Sequence, residues 1–177
     1  MRIISGQLGG RQFSSPSGHR THPMSDKVRG GLFNALGDIE GLSLLDAFAG
    51  SGAVSFEAVS RGATNVLAVD IDKEAHSTIQ SNLQRLDLTD KIKAVRANVG
   101  SWSDNNPDRQ FDLVICDPPY DKNSENLITK IIKHVKIGGL LVLSWPGNNV
   151  VPAFEKLNEI KTQNYGDAQL VFFKKTE

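Results

Sequence analysis

The chain has a single cysteine in 177 residues, so it can form no internal disulfide, and its four histidines are scattered without metal-ligand spacing. A disulfide-stapled fold and a zinc module are excluded; a reducing, cytoplasmic setting and no metal are expected. Cys116 lies inside an apolar run and reads as a small buried hydrophobe rather than a nucleophile. No stretch is apolar for long enough to span a bilayer, and the opening Met1-Arg2-Ile3-Ile4-Ser5-Gly6 lacks the charged, then apolar, then small order of a secretory signal. Internal repeats and low-complexity segments are also missing. So is net charge, with 20 Lys and Arg against 20 Asp and Glu. What remains, 39% hydrophobic and 23% charged residues, is the composition of one globular unit with a real core.

The neutrality is uneven along the chain. Residues 1–30 hold Arg2, Arg11, Arg20, Lys27 and Arg29, with His19 and His22 among them, against Asp26 alone. A basic arm on a mildly acidic body suits a protein that grips a phosphate backbone with one surface.

From Gly41 onward, short apolar runs alternate with stretches of helical periodicity, the pattern of a parallel sheet flanked by helices. Strands are predicted over 43–47, 65–69, 92–96, 111–116 and 140–144, with helices over 54–61, 73–86 and 124–135. A short helix over 153–157 should then precede two closing strands, 159–165 and 169–174, joined at a Tyr165-Gly166-Asp167 hairpin turn. The expected fold class is therefore α/β and Rossmann-like: a seven-stranded, mostly parallel sheet with a terminal antiparallel hairpin. Residues 1–40 read as a small β/α extension and 41–177 as the catalytic domain. In the extension, two small strands over 2–5 and 11–14 and a loop to Pro23 lead into a helix that Ser25 or Asp26 caps and that runs to about Ile39, burying Val28, Leu32, Phe33 and Leu36.

The first strand ends in Asp46-Ala47-Phe48-Ala49-Gly50-Ser51-Gly52-Ala53, a turn whose glycines let backbone pass close to a ligand. Asp70, at the end of the second strand, stands at about the ~20-residue offset from which a carboxylate accepts hydrogen bonds from a ribose diol. Together they describe an adenosine site. NAD would want a third glycine where Ser55 stands, because its pyrophosphate must rest on the helix N-terminus. S-adenosylmethionine has no phosphate to place and needs an acidic residue to orient its amino group, which Asp46 supplies. Phe48, Gly50, Gly52, Ile71, Asn98 and Val99 complete the candidate cofactor site.

The fourth strand runs Leu113-Val114-Ile115-Cys116 into Asp117-Pro118-Pro119-Tyr120. Its two prolines fix φ at about −65° and remove two backbone donors, leaving a stiff arc of acceptors. Such an arc takes both protons of a planar exocyclic amine, while Tyr120 offers a ring face for stacking.

With those residues assembled, the chain resembles the RsmD family of bacterial methyltransferases over nearly its whole length. The resemblance runs through Arg2-Ile3-Ile4-Ser5-Gly6, Asp26-Lys27-Val28-Arg29, Leu32-Phe33-Asn34, Phe48-Ala49-Gly50-Ser51-Gly52-Ala53, Glu57-Ala58-Val59-Ser60-Arg61-Gly62-Ala63 and Asp117-Pro118-Pro119-Tyr120. It implies S-adenosylmethionine as donor and the N2 amino group of a 16S ribosomal RNA guanine as acceptor. The substrate is then the 30S subunit or an assembly intermediate, and the enzyme a monomer. Asp117, Pro118, Pro119 and Tyr120 become the amine clamp, and Arg2, Arg11, Arg20, His22, Lys27 and Arg29 an RNA-facing arm. The chain departs from the family pattern at His22-Pro23-Met24, where Arg-Pro-Thr is usual, at Gly30, where glutamate is usual, and at Asn98, where an acidic residue is common.

The expected reaction is in-line attack of the guanine nitrogen on the sulfonium methyl, with Asp117 and the Pro118 carbonyl holding the amine as charge develops. The base must be unstacked to enter, with Phe48 or Trp145 stacking beside Tyr120. Three rival readings use the same residues: a DNA adenine-N6 methyltransferase, which would lack a target-recognition domain; a non-catalytic RNA-binding protein with this fold; and a small-molecule methyltransferase, which would leave the basic arm unexplained.

Overall fold

The computed structural model describes residues 1–17, 23–121 and 123–177. Helix α1 spans Asp26–Leu36, and the Ser25 side chain caps it by accepting from the Val28 amide. It stops short of the expected Ile39 because Gly37 turns to φ 73°. Of its expected apolar face, Leu32 and Phe33 are fully buried and Val28 and Leu36 partly so, and Arg29 is buried with them.

Seven strands follow, interleaved with four helices: β1 Ser43–Ala47, α2 Ala53–Ser60, β2 Asn65–Asp70, α3 Lys73–Leu86, β3 Ile92–Arg96, α4 Val99–Asn105, β4 Phe111–Cys116, α5 Ser124–Ile131, β5 Val135–Pro146, β6 Leu157–Asn164 and β7 Ala168–Lys175. They form one sheet in the order β3-β2-β1-β4-β5-β7-β6. Strands β1 to β5 are parallel, and β7 is antiparallel to both β5 and β6. The central strands are buried on both faces, which is why they read as continuous apolar runs without alternation. Two cores result. Leu44, Val66, Ile115 and Val142 face α1, α2 and α3, while Leu45, Val69, Val114 and Leu141 face α4 and α5.

Several expected elements differ. The two N-terminal strands reduce to one isolated bridge between Arg2 and Gln12. The helix predicted over 124–135 ends at Ile131, and a single 3-10 turn, Ile132–His134, delivers the chain into a β5 far longer than the predicted 140–144. No helix forms over 153–157. Pro152 precedes it, and Lys156 takes φ 66°, a left-handed conformation that ends any helical turn and starts β6 at Leu157. Helix α4 was not expected; Asn98 caps it by accepting from the Ser101 amide. The Tyr165-Gly166-Asp167 turn forms as expected, with the Tyr165 amide donating to Ala168 O and Gly166 at φ 77°.

The N-terminal residues are tied to the α1–α2–α3 face. Ile3 and Phe13 are buried in its core, and the Phe13 and Phe56 rings lie 4.9 Å apart. The Ile4 and Ser5 amides donate to the Glu57 carboxylate at 2.7 and 3.1 Å. Farther along, Ser14 exchanges two hydrogen bonds with Asn82 of α3.

Candidate active site

All the candidate cofactor residues lie at the carboxyl ends of β1, β2 and β3, where an open α/β sheet leaves a crevice. The turn after β1 is built of unusual backbone: Phe48, Gly50 and Gly52 take φ 67°, 52° and 78°. For Phe48 that conformation is strained, and such strain collects at ligand sites. At Gly52 a Cβ would lie 3.0 Å from both Phe56 and Ile79, so the glycine is required by packing as well as by φ.

Two aspartates hold this turn. Asp70 accepts from the Gly50 amide at 2.7 Å through one oxygen and from the Asp72 amide at 2.8 Å through the other. Each oxygen keeps a second acceptor site for a ribose hydroxyl. Asp46 is buried, and one of its oxygens accepts from the Ser55 amide and hydroxyl at 3.1 and 2.6 Å. Burial pushes its carboxyl up to about 7; the Ser55 hydroxyl opposes the rise, and the charges of Asp117 and Asp70 add to it. Ile71, 62% exposed, offers an apolar platform after β2. Val99 is buried in the α4–α5 core, and exposed Asn98 spends one lone pair of its side-chain oxygen on capping α4.

The donor chemistry fits a cationic cofactor. Three carboxylates, Asp46, Asp70 and Asp117, face one crevice, and no Lys or Arg forms an ion pair with any of them among the described residues. That field attracts an ammonium and a sulfonium and repels a pyrophosphate.

The loop after β4 is stiff and already partly committed. Pro119 O accepts from the Asp121 amide at 2.8 Å and from the Ser124 hydroxyl, so both its lone pairs are engaged within the loop. Among the described residues nothing donates to Pro118 O, and the Asp117 carboxylate keeps acceptor sites open. Burial pushes the Asp117 carboxyl up, and the Ser144 hydroxyl opposes it. Tyr120 is half-exposed, with its ring edge against Trp145 at 6.3 Å and its hydroxyl 3.1 Å from Ser144 Oγ. Trp145 is buried, and its indole N–H donates to Val150 O, so it backs Tyr120 and does not itself offer a face for stacking. Sequence reasoning missed Ser144 and Pro119's internal bonds. One small polar residue at a strand end carries no periodic signal.

The basic arm divides. Arg2, Arg11 and Lys27 are exposed, although Arg2 also pairs with Asp26 at 3.2 Å. Arg20 and His22 lie outside the described residues. Arg29 corrects the expectation of an RNA contact: its side chain is fully buried. It donates to Met24 O, Arg2 O and Asp26, with Nε 3.7 Å from Glu57. A buried guanidinium survives only by binding local acceptors, which removes it from any phosphate.

The chain is similar to several known proteins. Bacillus subtilis YlbH, which carries an rRNA methyltransferase name, is 36% identical over 75% of this chain and 73% of its own. Ribosomal RNA small subunit methyltransferase D of Haemophilus influenzae is 36% identical over 70% of this chain and 65% of its own length. The chain thus spans about two thirds of the length of such relatives. A solved Escherichia coli structure described as a methyltransferase superimposes with TM-score 0.87 at 26% identity, covering 99% of this chain and 98% of the other. The fold is that of S-adenosylmethionine-dependent methyltransferases. A family profile described as conserved hypothetical protein 95 matches residues 1–174, and the chain belongs to that family, the RsmD family.

Proposed function

We propose that this protein methylates the exocyclic N2 amino group of a guanine in 16S rRNA, in the context of the 30S subunit or an assembly intermediate. The observation that carries the reading is the pair of acceptors, Asp117 carboxylate and Pro118 O, which keep open sites among the described residues on a loop whose Pro119 carbonyl is bonded internally. S-adenosylmethionine, when bound, supplies an electrophilic methyl group. Asp46 and Asp70 orient the cofactor's amino group and ribose, and Ile71 and Asn98 meet the adenine. Asp117 and Pro118 O accept the two amine protons and fix the nitrogen lone pair in line, while Tyr120 stacks on the base. As the nitrogen becomes cationic, its proton leaves toward Asp117. Arg2, Arg11 and Lys27 supply the phosphate contacts, with residues 1–40 acting as the RNA-facing extension and 41–177 as the catalytic unit. The protein then works as a cytoplasmic monomer where ribosomes are assembled. No helix of the described residues is long and apolar enough to cross a membrane.

The test is transfer of labelled methyl to unmodified 30S subunits, followed by nuclease digestion and mass spectrometry. N2-methylguanosine is expected, and Asp117→Ala should lower kcat about 10²-fold or more while S-adenosylmethionine still binds. N6-methyladenosine would keep the clamp and overturn the guanine assignment. Cofactor binding without label in any RNA would sink the enzymatic reading.

A further inference from the structure

Ser144 has no role in the site as drawn so far. The β4–β5 ladder pairs Ile115 with Val142 and Cys116 with Leu143. One further step along both strands sets Asp117 beside Ser144. Side chains alternate across a sheet, so these two leave it on the face opposite Cys116 and Leu143. There Ser144 is 5% exposed, and its Oγ stands 3.1 Å from the Tyr120 hydroxyl. A serine hydroxyl has one proton to give, and an ionised carboxylate can only accept. If the Ser144 proton goes to Asp117, Tyr120 must be the donor in its contact with Ser144, where either hydroxyl can donate.

We propose that Ser144 is a positioning residue of the amine clamp: it takes a hydrogen bond from Tyr120 and gives one to Asp117, holding the carboxylate with its remaining acceptor sites turned toward the incoming amine. The inference rests on the reading of Asp117 as amine acceptor. It links two parts of the site that otherwise act separately, because the ring on which the base stacks is the ring whose hydroxyl sets the carboxylate. The same hydrogen bond favours the ionised form of Asp117, against burial, which pushes its carboxyl up. The titratable groups that bear on Asp117 are Asp46 and Tyr120, and Cys116, its chain neighbour, on the opposite face of the sheet. All of these are acidic, and no cation pairs with Asp117 among the described residues. Ser144 is the group that favours its anion.

The experiment follows the Asp117 side-chain carbon by NMR through a pH titration in wild-type protein, Ser144→Ala and Ser144→Thr, with Asp117→Asn for assignment. The kcat–pH profile on 30S subunits is measured in parallel. Ser144→Ala should raise the Asp117 midpoint by about one unit, the size of a single hydrogen bond to a charged group. The acid limb of kcat should move up with it, and kcat at neutral pH should fall about tenfold, a loss of one such unit. S-adenosylmethionine affinity should not change, and Ser144→Thr should restore both midpoint and rate. An unchanged midpoint in Ser144→Ala, or a threonine variant that behaves like alanine, overturns the proposal. The identity of the methylated nucleoside tests the guanine reading separately, and the NMR midpoint decides the Ser144 question even if wild-type protein methylates another base.

Discussion

At the scale of single residues, Asp46 makes the site sensitive to pH. Its folded-state carboxyl is lifted from 3.8 to about 7, chiefly by burial. The folded chain therefore binds this proton more tightly than the unfolded one. The stabilisation is fully present below about pH 4 and is lost as pH rises through about 7. Asp46→Asn should flatten the fall in Tm between pH 5 and 8, which a thermal melt series would measure; an unchanged slope would place the titration elsewhere. Cofactor binding has the opposite sense, because a cation prefers the ionised carboxylate. Wild-type affinity for S-adenosylmethionine should drop as pH falls below about 7, and calorimetry at pH 6 and 8 should show that Asp46→Asn loses this dependence. Asp46, Asp70 and Asp117 were legible in the sequence because each directly follows a buried apolar run. Arg29 was not. Its acceptors come from residues 2, 24, 26 and 57, and a guanidinium that looks exposed in a basic arm is buried only once the fold brings them together.

At the scale of elements, the cofactor turn and α1 make opposite use of glycine. Gly52→Ala must force a Cβ into Phe56 and Ile79 at φ 78°. It should cost about 1–3 kcal/mol, the range for overpacking and left-handed strain, and weaken cofactor binding. Gly30 sits inside α1 with only Ile4 Cδ1 near its would-be Cβ, at 3.8 Å. Gly30→Ala should stabilise the protein by about 0.5–1 kcal/mol without changing methyl transfer; denaturant midpoints for both variants check the pair. Helix α3 was readable to the residue because its cap, periodicity and left-handed exit at Asp87 agree. Helix α4 was not, since a seven-residue segment holding Gly100 and two serines has little propensity and depends on Trp102 burying itself against α5.

At the scale of the whole molecule, Glu57 joins the N-terminal arm to the catalytic sheet. It accepts from two arm amides and from Arg61, and lies beside buried Arg29. Glu57→Gln should leave that guanidinium with Asp26 as its remaining counter-charge, weaken the hold on the two arm amides and Arg61, and destabilise the protein by about 1–3 kcal/mol. Limited proteolysis should then cut first within residues 1–17; a globally uniform loss of protection would argue against a separable arm. The parallel half of the sheet was legible because each strand pairs through a local helical crossover. The place of β7 was not, because nothing in a strand's own residues says which edge it will join. That placement governs the order of events during synthesis. Strand β7 is translated after β6 yet lies between it and β5, pairing Leu170 with Ser144 and Gln169 with Trp145. The nascent chain must therefore wait, with the β5 edge open, until its final hairpin leaves the exit tunnel, and it is exposed to chaperones and misassembly during that interval.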